Sequence, residues 1–225
     1  MPEEQPWVNI EEQTNTYGRF VASPLNRGFG HTLGNSLRRV LLASLGGYAM
    51  TAVKIDGVSH EFSTMDNLKE DILDVIMNLK GVVYRVHNEE GKANAVLTAK
   101  KEGQITASDI NAGSDVEIVN KDHYIATLSK GAKLSIEISI DNGIGYVPVD
   151  IQQKRDFPIG TIPVDATFSP VLKVNHTVAD FRVGKKIDYD KLTLEVWTNG
   201  SVTPLEALAK SARILQDELK IFIEM

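Results

Sequence analysis

The sequence predicts an α+β fold, and three observations carry that prediction. Apolar residues recur at helical spacing in well-separated stretches, Leu134–Ile140 alternates strictly, and Thr203, Pro204 and Glu206 form a capping signature at the head of a long closing helix. From the N-terminus, Tyr17–Ser23 reads as a strand and Thr32–Leu45 as a helix ended by Gly46 and Gly47. Ala49–Phe62 has β-rich composition with an Asp56-Gly57 pair suited to a hairpin turn. Leu68, Ile72, Val75, Ile76 and Leu79 then keep a helical period up to Gly81.

Short strand-like runs follow at Val82–Val86, Ala95–Ala99, Val116–Val119, Tyr124–Leu128 and Leu134–Ile140. In the last of these Leu134, Ile136, Ile138 and Ile140 alternate with Ser135, Glu137 and Ser139, which buries one face and leaves the other wet. Asn88–Gly103, rich in Glu, Lys, Asn and Gly, reads as a loop at a hairpin tip. Pro148, Pro158, Pro163 and Pro170 predict an irregular, extended course through Gly143–Pro170. Val171–Val183 and Leu192–Trp197 are two further strands, the second alternating Leu192, Leu194 and Val196 against Thr193, Glu195 and Trp197. Thr203 as N-cap, Pro204 at the first helical position and Glu206 at the third then open the last helix.

Composition narrows the function. With 225 residues the chain can bury a core in one large or two modest domains. It has no cysteine, which excludes disulfides, thiolate metal sites and cysteine nucleophiles and suits a reducing, cytoplasmic setting. A formal net charge of −6 gives no general attraction for phosphate backbones. There is no apolar run of membrane-spanning length and no signal-peptide pattern, so a soluble protein is expected.

Chemistry-bearing patterns are missing. Gly28-Phe29-Gly30-His31-Thr32-Leu33-Gly34 resembles a phosphate loop, but its third glycine falls one residue late for a dinucleotide fingerprint, and no Gly-Lys-Ser/Thr occurs. The glycines are better read as allowing a tight turn and close helix packing. His31, His60, His87, His123 and His176 are scattered without metal-ligand spacing, and there is no Gly-x-Ser-x-Gly elbow.

Two helices ask for partners. At about 100° per residue, Leu33, Leu37, Val40, Leu41, Ser44 and Leu45 gather on one side of the first helix, leaving Arg39 and Leu42 pointing outward. In the last helix Leu208, Ala212, Leu215, Leu219 and Phe222 keep a 4-3-4-3 spacing, with Ile214, Ile221 and Ile223 on the flanks. Fully burying each large apolar side chain of that row contributes about 1.5 to 3 kcal/mol, and a terminal helix seldom finds cover within its own chain for every side.

The run Arg27-Gly28-Phe29-Gly30-His31-Thr32-Leu33-Gly34-Asn35-Ser36-Leu37-Arg38-Arg39-Val40-Leu41-Leu42 resembles the signature of the N-terminal domain of bacterial-type RNA polymerase alpha subunits. Further matches follow in order: His60–Thr64, Asn78–Gly81, Val116–Val119, Gly145–Pro148, Val164–Ala166, Ser169–Val171 and Thr198–Ser201.

The resemblance implies a dimerisation domain made of residues 1–46 and 169–225, with a β-rich domain inserted at 47–168. It also implies a homodimer seam on the first and last helices, at Leu33, Leu37, Leu41, Leu208, Ala212, Leu215, Leu219 and Phe222. By the same likeness Arg38, Arg39, Leu42 and Lys80 bind the polymerase beta subunit and Arg182 binds beta-prime. No catalytic residue, metal or cofactor is expected, because nucleotide addition would belong to the partners. Localisation would be cytoplasmic, with the nucleoid as part of the polymerase. The family continues into a C-terminal domain that touches promoter DNA, so no direct nucleic-acid binding is expected of a chain that stops at Met225. Asn88–Gly103 and Gln152–Asp156 match no motif of the family. The residues alone leave two other readings, a dimeric scaffold of a different assembly and an enzyme using scattered carboxylates.

Overall fold

The computed structural model describes residues 6–87, 91–152, 157–183 and 186–224, with the backbone alone for Lys186 and Ile187. The chain divides into two compact units, Met1–Leu45 with Ser169–Met225, and Gly46–Phe168. In chain order the first unit contributes β1 (Trp7–Gln13), β2 (Tyr17–Asn26) and α1 (Phe29–Ala43). The second holds β3 (Gly46–Ile55), α2 (Ile72–Lys80), β4 (Tyr84–Val86), β5 (Lys92–Ala99), β6 (Gly103–Thr106), β7 (Ile110–Asn111), β8 (Val116–Ile118) and β9 (Tyr124–Leu128). It continues with β10 (Leu134–Ile144), β11 (Tyr146–Val147), α3 (Val149–Gln152), β12 (Thr161–Pro163) and β13 (Ala166–Thr167). The chain then returns to the first unit with β14 (Val171–Val183), β15 (Lys186–Thr198) and α4 (Pro204–Ile223).

The first unit is built on an antiparallel sheet of order β1-β2-β15-β14. α1 lies on β14 and β15 and also touches α4. Phe20, Leu41, Leu45, Val171, Val174, Leu194, Val196 and Ala207 form the core, with Leu37, Val202, Leu208 and Ile214 packed against it. β15 turns Leu192, Leu194 and Val196 inward, as their alternation requires, and leaves Glu195 and Trp197 half-buried.

α1 starts at Phe29, earlier than the expected Thr32, because the chain is turned and capped by features outside the helical period. Gly28 takes φ +88°, a left-handed conformation that glycine adopts without penalty. Asp190 of β15 then accepts hydrogen bonds from Gly28 N (2.9 Å) and Gly30 N (3.0 Å), satisfying amides that open the helix. At its other end α1 stops at Ala43, and Gly46-Gly47 begin β3 rather than end the helix.

α4 begins as its sequence dictates. Thr203 Oγ1 accepts from Glu206 N at 3.3 Å while Glu206 Oε2 accepts from Thr203 N at 3.0 Å, and Pro204 occupies the first helical position. β1 is a strand the sequence reading omits. All seven of its residues are exposed, so it carries no alternation; it is held to β2 by its ladder and by the ion pair of Glu11 with Arg19 at 3.2 Å.

The second unit is centred on a five-stranded sheet of order β12-β3-β10-β5-β7, with two-stranded pairs β11-β13, β4-β8 and β6-β9. Its core includes Val53, Ile55, Ile72, Val75, Leu79, Tyr84, Leu97, Ile125, Leu128, Leu134, Ile136 and Ile138. α2 turns Ile72, Val75, Ile76 and Leu79 inward, but Leu68 lies before the helix, where it makes an isolated bridge to Leu128.

Three expectations are corrected here. Asp56-Gly57 does turn the chain, with Gly57 at φ +81° and Val58 N donating to Ile55 O at 3.1 Å. No hairpin forms, because β3 pairs with β10 and β12 instead. Asn88–Gly103 is mostly the strand β5, whose buried Ala95 and Leu97 bind it to β10; residues 88–90 lie outside the described residues. Gly143–Pro170 is not wholly irregular, since β11, α3, β12 and β13 punctuate it; residues 153–156 lie outside the described residues.

Candidate subunit interface

The glycine-rich start of α1 is a packing device. A Cβ at Gly30 would lie 2.7 Å from Val178 Cγ1, and one at Gly34 would lie 2.8 Å from both His176 Cδ2 and Leu192 Cδ1. Their absence lets α1 sit close on β14 and β15. That seating turns Leu41 and Leu45 into the core and leaves Arg38 and Arg39 exposed, with Leu42 at 36% exposure. Arg39 and Leu42 line a cleft of about 520 Å³ together with Ser36, Val40, Ala43, Ser44 and Leu215 of α4.

Small residues seat α4. Pro204, Ala207 and Ser211 are buried, and Ile214 packs on the same core. This face is offset from the 4-3-4-3 row. Of that row, Leu208 packs on the core, Leu215 is half-buried, Ala212 is exposed, and Leu219 and Phe222 are 50% and 71% exposed. Ile221 and Ile223 stand beside them at 65% and 79% exposure, so the end of α4 is apolar on several sides and uncovered.

On α1, Leu33 and Leu37 are half-buried. Leu41, by contrast, is fully buried in its own chain, so its side chain has no surface left for a second copy and can only back such a seam. This departs from its expected place in an interface. Helical spacing groups residues of one stripe but does not say which end of the stripe the sheet takes.

Lys80, at the C-terminus of α2 in the second unit, is ion-paired. Its Nζ lies 2.7 Å from Asp165 Oδ1, and Tyr146 donates to Asp165 Oδ2 at 3.3 Å. The hydrogen bond from Lys80 holds the Asp165 carboxyl below the usual carboxylate range, outweighing partial burial. Tyr146 is pushed above the usual phenol range by desolvation and by the Asp165 charge. Neither residue stands among the expected site residues, although both lie in the motif-like stretches Gly145–Pro148 and Val164–Ala166. Arg182 is exposed on β14. Phe29, at the start of α1, is 54% exposed and was not foreseen as surface.

The stretch Thr198–Ser201 proves to be the turn that aims α4. Thr198 Oγ1 donates to Val202 O at 2.9 Å, and Asn199 Oδ1 accepts from Ser201 N and Oγ at 3.0 and 2.7 Å. Among the described residues no group of three histidine or carboxylate side chains is placed to hold a metal ion, and no helix is long and apolar enough to cross a membrane.

Residues 53–169 match the family described as the RNA polymerase Rpb3/RpoA insert domain. Over 213 residues the chain is 54% identical to the DNA-directed RNA polymerase subunit alpha of Symbiobacterium thermophilum, covering 95% of this chain and 67% of that protein. The chain belongs to the RNA polymerase alpha subunit family. The corresponding subunit of Geobacter metallireducens is 53% identical over 216 residues, 96% of this chain and 63% of its own length. That of Moorella thermoacetica is 50% identical over 220 residues, 98% of this chain and 70% of its own. The chain thus spans about two thirds of these relatives' length.

Proposed function

We propose that this chain is a non-catalytic assembly platform of bacterial-type RNA polymerase, which pairs with a second copy of itself and recruits the beta and beta-prime subunits for transcription. The observation that carries this reading is the open apolar end of α4, where Leu219, Ile221, Phe222 and Ile223 are each at least 50% exposed. An uncovered apolar surface of this kind marks a protein contact, and a two-fold axis would cover both helices with one set of residues. Leu33, Leu37, Leu208, Ala212 and Leu215 extend that seam.

In this reading the outward side of α1 meets beta through Arg38, Arg39 and Leu42, with Lys80 contributing from the second unit, and Arg182 on β14 of the other copy meets beta-prime. An arginine suits such a contact because its guanidinium fork grips carboxylates or carbonyls with two parallel bonds. Catalysis belongs to the partners.

Co-purification with a beta subunit, beside an Arg39→Ala variant whose mass in solution is checked, tests the reading. Binding by the parent and its loss in a variant that is still dimeric supports both function and site. A parent that fails to bind a beta subunit competent toward another alpha subunit leaves only a scaffold for a different assembly.

A further inference from the structure

Lys80 is held as no isolated surface lysine would be, and the whole arrangement lies within the second unit. Asn78, two residues before the end of α2, donates from Nδ2 to Ile125 O at 2.9 Å. The carbonyls that end the helix are met by side chains: His123 Nε2 lies 2.8 Å from Asn78 O, and Asn120 Nδ2 donates to Gly81 O at 2.8 Å. A Cβ at Gly81 would lie 2.6 Å from His123 Nε2, so a larger residue there would have to displace this ring. The base of the lysine is therefore fixed, and the helix C-terminus favours a cation at its last residue.

Asp165 is fixed as firmly. Its neighbours Val164 and Ala166 are buried, Val164 N donates to Thr51 O at 2.9 Å, and β13 pairs with β11, which carries Tyr146. Beside the ion pair, Tyr146, which donates to Asp165, is 60% exposed and gives an apolar margin to a polar centre.

We propose that Asp165 is the positioning residue of this surface, pinning the Lys80 ammonium as a charge-compensated donor for a neutral acceptor, such as a backbone carbonyl, on a beta-subunit segment whose apolar residues cover the Tyr146 ring. The inference rests on the beta-binding role proposed for Lys80 and specifies how that residue acts. Two physical arguments carry it. A carboxylate brought to Lys80 would also face Asp165, and like charges at such a distance repel, so the pair selects against acidic partners. A lysine already held in one rotamer also loses less freedom on binding, and release of the pin restores a cost of about 2- to 12-fold in affinity.

The experiment measures beta-subunit affinity for the dimeric chain as parent, Asp165→Asn, Lys80→Met and the double variant, with thermal midpoints to show that each is folded. Asp165→Asn is expected to weaken binding about 2- to 12-fold in the parent and to add nothing in the Lys80→Met background. A purely structural role predicts equal losses in both backgrounds, and that result overturns the proposal. So does tighter binding by Asp165→Asn, which would mean that a free cation meets a partner carboxylate. A parent that does not bind beta overturns the functional reading beneath it, and is told apart by the absence of any affinity to compare.

Discussion

Asp190 and Gly30 are joined by a 3.0 Å hydrogen bond across 160 residues of sequence, from the carboxylate of β15 to the second residue of α1. The same oxygen takes the Gly28 amide at 2.9 Å, so a residue of the returning strand caps the first helix. Asp190 is only 6% exposed, and Gly30 is buried. Alanine there would strand amides that solvent reaches poorly. Asp190→Ala should therefore lower stability by about 1 to 3 kcal/mol in urea unfolding, and Asp190→Asn, which keeps an acceptor, by less. An alanine variant as stable as the parent would show that water caps the helix equally well.

Gly34 sets a contest between two effects of known sign. Replacing a glycine inside a helix by alanine favours the helix by about 1 kcal/mol. Here the added methyl would lie 2.8 Å from both His176 Cδ2 and Leu192 Cδ1, and Leu192 is itself only 3% exposed. Overpacking costs about 1 to 3 kcal/mol, so Gly34→Ala is expected to destabilise by a net amount of up to about 2 kcal/mol. A rise in the unfolding midpoint would mean that the sheet yields.

What the sequence disclosed, and what it withheld, follows from the range of each interaction. The start of α4 was legible because Thr203, Pro204 and Glu206 act within one turn, and β9 and β14 because composition and strand coincide there. The true start of α1 was not, since its cap comes from Asp190 on a distant strand. β1 gave no alternation because neither of its faces is buried. On α4 the large residues drew attention to the exposed row, whereas the chain's own contact is made by small ones, Ala207 and Ser211. The outward aim of Arg39 and Leu42 was visible from helical spacing; the Asp165 partner of Lys80 was not, being a tertiary contact.

Tyr84 carries a hydroxyl that is buried without a hydrogen-bond partner among the described residues, in a side chain only 1% exposed. An unpaired buried hydroxyl costs about 1 to 3 kcal/mol, so Tyr84→Phe should leave stability unchanged or raise it. Burial pushes the phenol well above its ordinary 10.0. The unfolded chain thus releases this proton first, and stability should fall as pH rises through the unfolded value. In the phenylalanine variant that alkaline decline should be shallower, as measured by urea unfolding at successive pH values. Identical slopes would mean that the hydroxyl finds a partner.

Glu70 works in the opposite pH range. Burial alone would raise its pKa, but the Tyr124 hydroxyl and the Thr127 amide, at 2.7 Å, both hydrogen-bond the carboxylate and bring it below the ordinary 4.5. Its stabilising contribution is therefore present above that value and is lost as pH falls through the lowered one. Glu70→Gln should reduce stability near neutrality and flatten the acid limb of the pH–stability curve. An unchanged acid limb would place the acid sensitivity elsewhere.

The proposed dimer seam can be tested at Leu215 and Leu219. Leu215 borders the cleft beside Arg39 and Leu42, and Leu219, one turn on, is 50% exposed in the single chain. Aspartates at both positions would cost the isolated chain little, since neither side chain belongs to its core. Placed in a two-fold seam, the same changes would bury unpaired carboxylates, four in each dimer, and each is expensive to desolvate. The Leu215→Asp, Leu219→Asp double variant should therefore sediment as a folded monomer with the unfolding cooperativity of one chain. If it remains a dimer, the two copies meet through another surface, and the open end of α4 is left for a different partner.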